Sequence, residues 1–171
     1  SIICVGRIEG RKNQLNVIKA IKNTSFRLFI IGKPSPNNIK YYEACRKEAE
    51  NTTNIYFEEH LAQNELVFIY NQAKVHVLAS WFETTGLVSL EAALCGCNIV
   101  VTAKGDTEEY FKNYAYFCNP ANINSINEAI TKAYYADFDN DFKETILKKY
   151  TWQVAAHKTL EAYTKVLKTK I

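Results

Sequence analysis

Short apolar runs alternate with stretches of helical periodicity along most of the chain, and this alternation constrains the fold more than any other feature. The runs lie at residues 2–5, 26–31, 54–57, 75–79, 99–102 and 115–118. Each is predominantly apolar, which is typical of a strand buried on both faces. Apolar residues between the runs recur at three- and four-residue steps, as at Leu15, Ile18 and Ile21. Because parallel neighbours need crossover connections, the alternation predicts an α/β fold with a doubly wound parallel sheet of about six strands and helices on both faces.

The last third of the chain predicts consecutive helices instead, over residues 123–136, 138–150 and 151–167. Thr151 is a suitable N-cap for the last helix. Aromatic and aliphatic residues recur there at helical spacing, and we interpret this stripe as packing: Trp152, Ala155, Ala156, Leu160, Tyr163 and Leu167. With 171 residues and 47% hydrophobic content, the sequence predicts one domain over residues 1–171.

Composition excludes several classes of function. The 21 basic and 18 acidic residues are spread along the chain, which argues against a nucleic-acid-binding surface. No apolar run approaches the roughly 20 residues of a membrane span, and no signal peptide opens the chain, so we expect a soluble, cytoplasmic protein. The five cysteines are odd in number and lie mostly in apolar stretches, which favours reduced core thiols. We expect no metal site, because the pair Cys95 and Cys97 lacks partners at ligand spacing.

The first predicted strand is followed by a loop, residues 6–13, that carries three cations and two glycines. Ligands of a doubly wound sheet bind beyond the carboxyl ends of its strands, where this loop is expected to lie. Glycines such as Gly6 let a backbone approach a phosphate closely, and Arg7 and Lys12 could neutralise a diphosphate. An ordinary charged loop is an equal alternative. The spacing matches neither a P-loop nor a GxGxxG fingerprint.

A second loop, residues 80–86, precedes a predicted helix over residues 87–95. Thr84 or Thr85 could cap this helix. The amides of Gly86, Leu87 and Val88 would then point outward at the positive end of the helix dipole, where a phosphate can bind.

Two glutamates of this segment have no obvious place in a plain helix and loop. Glu91 borders the apolar face of the helix, where a carboxylate needs either an internal cation or the hydroxyls of a ligand. A salt bridge is the more common explanation. Glu83 is expected beside any phosphate at the helix start, where a sugar hydroxyl is a natural partner for it. The alternative for Glu83 is an exposed loop residue.

The spacing from Glu83 to Glu91 resembles the EX7E motif of the retaining glycosyltransferases of family 4, which have the GT-B fold. Further segments resemble the family in the same order over nearly the whole chain. They are Val5-Gly6-Arg7 with Lys12-Asn13, Phe29 to Gly32, Ile55 to Phe57, Glu65-Leu66 with Tyr70, Ala73 to Val75 with Ser80, Leu90 to Ala93, Gly96, Gly105 to Glu109, Asn119-Pro120 and Trp152. The resemblance therefore implies the Rossmann-like, donor-binding C-terminal half of a two-domain enzyme.

The resemblance also implies roles for the matched residues. Arg7 and Lys12 would bind the diphosphate of a nucleotide-sugar donor, assisted by the amides of residues 85–88, which are Thr85, Gly86, Leu87 and Val88. Glu91 would bond the ribose hydroxyls, and Glu83 the hydroxyls of the transferred hexose. Family members need no metal or other cofactor. They transfer the sugar to a saccharide or lipid-linked acceptor held by the N-terminal half, so the fragment alone is expected to be inactive, and the full-length enzyme could associate peripherally with the inner face of the membrane.

The chain departs from the family pattern at several positions. Thr85 stands where the family usually has Phe, Asn98 where it has Pro, and Asp106 where it has a second Gly. Glu59 replaces the usual glycine of the loop that adjoins the nucleobase in the family, so the base of the donor stays open. A nucleotide-sugar epimerase of the same architecture and a non-catalytic sugar-nucleotide-binding module are the alternative functions.

Overall fold

Six parallel strands form one sheet in the order β3-β2-β1-β4-β5-β6 in the computed structural model, which describes residues 1–168. The strands are β1 (Ile2–Val5), β2 (Leu28–Ile31), β3 (Ile55–Glu58), β4 (Val75–Leu78), β5 (Asn98–Thr102) and β6 (Ala115–Cys118). The chain moves outward from β1 to β3, returns to the middle at β4 and continues to the other edge. This is the doubly wound, Rossmann-like sheet that the alternation predicts.

Helices connect the strands and cover both faces of the sheet, as the crossover argument requires. The helices that lie between strands are α1 (Gln14–Ile21), α2 (Ile39–Ala49), α3 (Gln63–Gln72), α4 (Leu87–Leu94) and α5 (Thr107–Phe111), and after β6 follow α6 (Ile123–Tyr135), α7 (Asn140–Lys149) and α8 (Trp152–Lys168). Two 3₁₀ turns, Gly10–Lys12 and Pro36–Asn38, precede α1 and α2.

Strand ends differ from the predicted ones by a residue or two, and two of the differences have clear local reasons. β2 begins at Leu28 because the Phe26 carbonyl accepts a hydrogen bond from Asn54 Nδ2 at 2.8 Å, outside the strand ladder. β5 begins earlier, at Asn98, whose Nδ2 donates to the Ala133 carbonyl at 2.8 Å. A buried asparagine that bonds the backbone in this way extends the strand by one residue.

The core lies between the middle strands and the helices, and it is built from continuously buried strands. All residues of β1, β4 and β5 are buried, as expected for strands covered on both faces. All five cysteines are free thiols, and four of them are buried: Cys4, Cys45, Cys97 and Cys118. Burial raises the pKa of the Cys4 thiol to about 12, so this thiol stays protonated at neutral pH.

The chain divides into two compact units, residues 1–138 and the segment that begins at Asp139. The prediction of one domain over residues 1–171 stays a prediction. In the second unit Thr151 caps α8, because its Oγ1 accepts from the Val154 amide at 3.3 Å.

The prediction that the apolar stripe of α8 packs is wrong for the described residues, because none of those in α8 is buried. Trp152 is 78% exposed and Leu160 is 62% exposed. Helical spacing determines which side chains share a face, but it does not supply a surface that covers them. Within residues 1–168, no helix is both long enough and apolar enough to cross a membrane.

Candidate functional site

Two loops meet at the edge of the sheet where β1 and β4 end. The β1 loop (residues 6–13) and the β4 loop (residues 80–86) lie at the same edge because the strands are parallel neighbours. The buried Asn13 links the segments that meet at this edge, because its Nδ2 donates to the carbonyls of Ala79 and Pro120, both at 2.9 Å. The predicted site residues of both loops are therefore held on a common frame.

In the β1 loop the two predicted cations differ sharply in exposure. The Arg7 side chain is 69% exposed, and its Nε lies 3.8 Å from Glu9 Oε2. The Lys12 side chain is only 12% exposed. A Cβ on Gly6 would lie 3.9 Å from Lys12 Cε, an ordinary van der Waals contact, so it is the φ of +142° that favours glycine at this residue. Arg7 is thus a cation that faces solvent, while Lys12 is directed into the site.

Glu83 is buried and is the centre of the polar contacts of the site. Its side chain is 7% exposed, and its Oε1 accepts from Lys12 Nζ at 2.5 Å, Arg11 Nη1 at 3.1 Å and Ser80 Oγ at 3.1 Å. Among residues 1–168, nothing donates a hydrogen bond to Oε2. The interpretation of Glu83 as an exposed loop glutamate is wrong. One oxygen is saturated by the protein, and the other can accept from a ligand hydroxyl.

The backbone of the β4 loop is held from both sides. The Trp81 amide donates to the Arg11 carbonyl at 2.9 Å, which ties the β4 loop to the β1 loop. The Glu83 amide donates to the Lys104 carbonyl at 3.0 Å, and the Asp106 amide donates to the Glu83 carbonyl at 3.0 Å. These two bonds form a short parallel bridge to the loop after β5 (residues 103–106). The position of the Glu83 carboxylate is therefore fixed by its own backbone as well as by its partners.

Helix α4 begins differently from the sequence prediction, because Gly86 and not a threonine is its N-cap. Gly86 has φ +67° and ψ +49°, and no side chain caps the helix. That left-handed conformation favours glycine and turns the chain directly into the helix. The Gly86 carbonyl accepts from Ser89 and Leu90, while the amides of Leu87 and Val88 donate to no acceptor among the described residues. These amides at the positive end of the dipole can bind an anion.

Glu91 lies one turn further along α4 and is half-buried. No described residue forms an ion pair with it, so the salt-bridge hypothesis is wrong for residues 1–168. Burial is the larger effect on the pKa of the Glu91 carboxyl and raises it, while the neighbouring Gln63 side chain lowers this pKa to a smaller extent. A carboxylate that loses hydration without gaining a cation remains available to ligand hydroxyls.

We expect Glu91→Gln to raise the free energy of unfolding at pH 7 and to raise it less near pH 4. The folded-state pKa of Glu91 is raised, so folding becomes less favourable as pH rises from the unfolded value of about 4.3 through the folded one. The neutral amide removes this penalty. Urea unfolding at both pH values measures the difference, with the exposed Glu108→Gln as the control. A gain that is equal at both pH values would contradict the desolvation argument.

A cavity of about 380 Å³ opens beside the β1 loop, at the ends of β1 and β2. Its lining includes Gly6, Arg7, Gly32, Lys33, His60 and Gln63. Of the predicted residues, Gly6 and Arg7 line this cavity, and Glu91 is connected to it through Gln63. Lys12, Glu83 and the start of α4 form the adjoining group around the β4 loop. The arrangement offers a concave pocket next to cations, free amides and two carboxylates.

Residues 1–148 match the model of one protein family, described as glycosyl transferases group 1. The match covers the whole sheet and every residue of the site. This chain belongs to the glycosyl transferases group 1 family.

Three relatives illustrate how the group 1 chain compares with longer proteins. It is 27% identical over 168 residues to a probable sucrose-phosphate synthase of Thermosipho melanesiensis, a match that covers 93% of this chain and 40% of the relative. A glycosyltransferase structure from Rickettsia africae has a TM-score of 0.87 with 16% identity, and the match covers 98% of this chain and 48% of the other. The Anabaena HepE structure, in complex with UDP and glucose, has a TM-score of 0.84 with 16% identity, covering 96% and 48%. The chain thus spans less than half the length of these three proteins.

Sequence reasoning missed several residues of the group 1 site. Arg11 was only one of three loop cations, and nothing in the sequence distinguishes it from Arg7. Ser80 and the buried His76 were also missed. His76 Nδ1 lies 3.3 Å from Ser89 Oγ beneath α4, and burial lowers the pKa of His76 to about 3, so the ring is neutral. A histidine within an otherwise apolar run, residues 75–79, is the signal in the sequence that could have identified His76.

Proposed function

We propose that this chain is the donor-binding half of a retaining glycosyltransferase of family 4. In this proposal the full-length enzyme transfers a hexose-type sugar from a nucleoside-diphosphate sugar to a saccharide or lipid-linked acceptor. The segment from Glu83 to Glu91 serves as its EX7E motif. Membership of the group 1 family supports glycosyl transfer. The HepE relative, whose structure holds UDP and glucose, supports a nucleotide-sugar donor.

The contact that carries the proposal is the one between Lys12 and Glu83, at 2.5 Å beside the free amides of α4. A diphosphate placed at these amides would meet Lys12 and Arg7 on the side of the β1 loop. The free oxygen of Glu83 would then lie on the side of the sugar. A cation that sits between a carboxylate and a phosphate stabilises both, and this resolves the repulsion expected between Glu83 and the ligand.

The same groups supply the chemistry of transfer. As the bond between the sugar and the diphosphate breaks, negative charge develops on the departing nucleoside diphosphate. Arg7, Lys12 and the dipole of α4 stabilise that charge without needing to reorganise. Because cations already stand where a metal would otherwise neutralise the diphosphate, we propose that transfer needs no metal and no other cofactor.

The remaining proposed contacts are those of the ribose and of the nucleobase. Glu91, half-buried and joined to the cavity through Gln63, is the proposed partner of the ribose hydroxyls. The cavity beside Gly6 is the proposed place for the nucleobase. The acceptor would be held by the part of the full-length protein that this chain does not include, since the chain covers 48% of the HepE structure.

Titration with UDP, GDP and ADP tests donor binding in the chain itself. We expect one of them to shift the amide resonances of Gly86, Leu87 and Val88, because these N–H groups gain an acceptor. The expected dissociation constant is in the micromolar range, about −8 kcal/mol in free energy. NMR with assigned backbone amides measures the shifts.

The controls for this titration separate a specific site from general anion binding. Inorganic phosphate is the comparison ligand, and Arg7→Met, at a side chain that is 69% exposed, is expected to weaken nucleotide binding about tenfold while leaving the fold intact. Amides of α6, far from the β1 and β4 loops in sequence, serve as the internal reference. If none of the three nucleotides shifts the α4 amides, the site as proposed is wrong.

A further inference from the structure

We propose that Arg11 is a positioning residue that holds the β4 loop and orients the free oxygen of Glu83 toward the sugar of the donor. The inference deepens the proposed function and rests on it for the identity of the ligand. Arg11 is one of three cations in the β1 loop, and residue type alone does not separate it from the others. Its contacts do.

Arg11 binds the β4 loop at three places. Its Nη1 donates to the Phe82 carbonyl at 2.8 Å and to Glu83 Oε1 at 3.1 Å. Its own carbonyl accepts from the Trp81 amide at 2.9 Å. Three consecutive residues of the loop are therefore held by one residue, with backbone and side chain acting together.

The other terminal nitrogen of the Arg11 guanidinium also has a hydrogen-bond partner. Arg11 Nη2 donates to Glu9 Oε1 at 3.0 Å, and the Glu9 side chain is only 12% exposed. A planar guanidinium that is fixed at two nitrogens defines a direction, whereas an ammonium is a point charge around which a carboxylate can turn. Lys12 and Ser80 also donate to Oε1 of Glu83, but through an ammonium and a hydroxyl that can each turn. Arg11 adds the contact that fixes which oxygen faces the ligand.

The contacts also distinguish Arg11 from the cations that would bind the diphosphate. The Arg11 guanidinium engages Phe82, Glu83 and Glu9 within the protein, while the more exposed Arg7 has one ion-pair contact, at 3.8 Å. Arg11 and Lys12 together balance the charges of Glu9 and Glu83. Arg7, the α4 amides and the remaining N–H donors of Lys12 are then left for the diphosphate. Removing Arg11 should therefore affect recognition of the sugar and spare recognition of the diphosphate.

Trp81 provides a test that needs no ligand. The protein has two tryptophans, so Trp152→Phe leaves Trp81 as the single reporter in the β4 loop. In that background we expect Arg11→Met to increase the amplitude of fast local motion in the fluorescence anisotropy decay by roughly half. Arg11→Lys keeps the positive charge but loses the forked guanidinium, so its amplitude of fast motion should lie between those of Arg11 and Arg11→Met. Arg27→Met, at an exposed arginine before β2, is the matched control and should leave the decay unchanged.

A binding measurement tests the role toward the sugar. Isothermal titration compares the best-binding nucleoside diphosphate with its glucose and mannose derivatives, in the wild type, Arg11→Met and Arg27→Met. We expect Arg11→Met to weaken the nucleotide sugar about tenfold and the nucleoside diphosphate by less than about twofold.

The outcomes separate this inference from the proposed function. Equal weakening of both ligands would show that Arg11 binds the diphosphate or only holds the fold, and would overturn the inference. No weakening of either ligand would overturn it too. If the wild type binds no nucleotide, the proposed function fails, and the Trp81 decay alone decides whether Arg11 positions the loop. An unchanged decay in Arg11→Met would overturn the positioning role.

Discussion

Replacing Gly105 by alanine is expected to lower the free energy of unfolding by about 3 kcal/mol and to disorder the site. Gly105 has φ +88°, and a Cβ at this residue would lie 2.0 Å from the Glu83 carbonyl oxygen and 2.9 Å from the carbonyl carbon. Both atoms belong to the backbone. They cannot move aside, because the Glu83 carbonyl accepts from Asp106 and the Glu83 amide donates to Lys104. Urea unfolding of Gly105→Ala measures the loss.

Two other glycines of this chain separate the causes of that loss. Gly96 has φ +90°, but a Cβ there would have no heavy atom within 4 Å, so Gly96→Ala should cost only the conformational part, about 1 kcal/mol. Gly10 has neither a positive φ nor a neighbour within 4 Å, so Gly10→Ala should change stability by less than about 0.5 kcal/mol. Equal losses in Gly105→Ala and Gly96→Ala would contradict the clash with Glu83.

The sheet could be predicted because its strands are predominantly apolar. β1, β4 and β5 are buried on both faces, so the runs stand out in the sequence without any need to recognise alternation. Strand ends were less predictable, since β5 begins at a residue whose side chain bonds the carbonyl of Ala133, far along the chain. Such a partner is not visible in local sequence.

The site was predictable in its members but not in its contacts. The cations, the two glutamates and the helix start could be named from residue type and order. The sequence does not predict which cation binds which carboxylate, because Arg11 and Arg7 differ only in the tertiary contacts they make. The cap of α4 was mispredicted for a related reason. Threonine is a good N-cap in general, but here the turn after Glu83 requires the left-handed φ of Gly86, and tertiary geometry overrides the local preference.

Glu83→Gln is expected to reduce turnover by the full-length protein about 100-fold or more while leaving the fold intact. In glutamate, Oε1 accepts from Lys12, Arg11 and Ser80. A glutamine amide places its oxygen toward these donors and its NH₂ group at the former Oε2. That NH₂ group donates and cannot accept a hydrogen bond from a sugar hydroxyl. The substitution thus removes the proposed ligand contact and keeps the hydrogen bonds to the protein, although not the negative charge of the two ion pairs.

Glu83→Ala is the harsher change and is less informative alone. It leaves the mostly buried Lys12 without its carboxylate, and loss of one partner of a buried pair destabilises by about 3 kcal/mol or more. Glu83→Gln also removes the negative charge but keeps an oxygen that accepts from Lys12, so urea unfolding should show a larger loss of stability for Glu83→Ala than for Glu83→Gln. Glu108→Gln, at an exposed glutamate in the first turn of α5, is the matched control for both.

Release of nucleoside diphosphate, with water as the acceptor of the sugar, measures turnover without requiring that the natural acceptor be identified. The proposed role of Glu83 predicts a specific division of the effect: Glu83→Gln should reduce kcat/KM for the nucleotide sugar and leave binding of the nucleoside diphosphate within about twofold. A variant that folds, binds the nucleoside diphosphate and turns over normally would show that the free oxygen of Glu83 contacts no reacting sugar. If Glu91→Ala were also fully active, the segment from Glu83 to Glu91 would not be the catalytic motif of the protein, because both of its carboxylates would then be dispensable for chemistry.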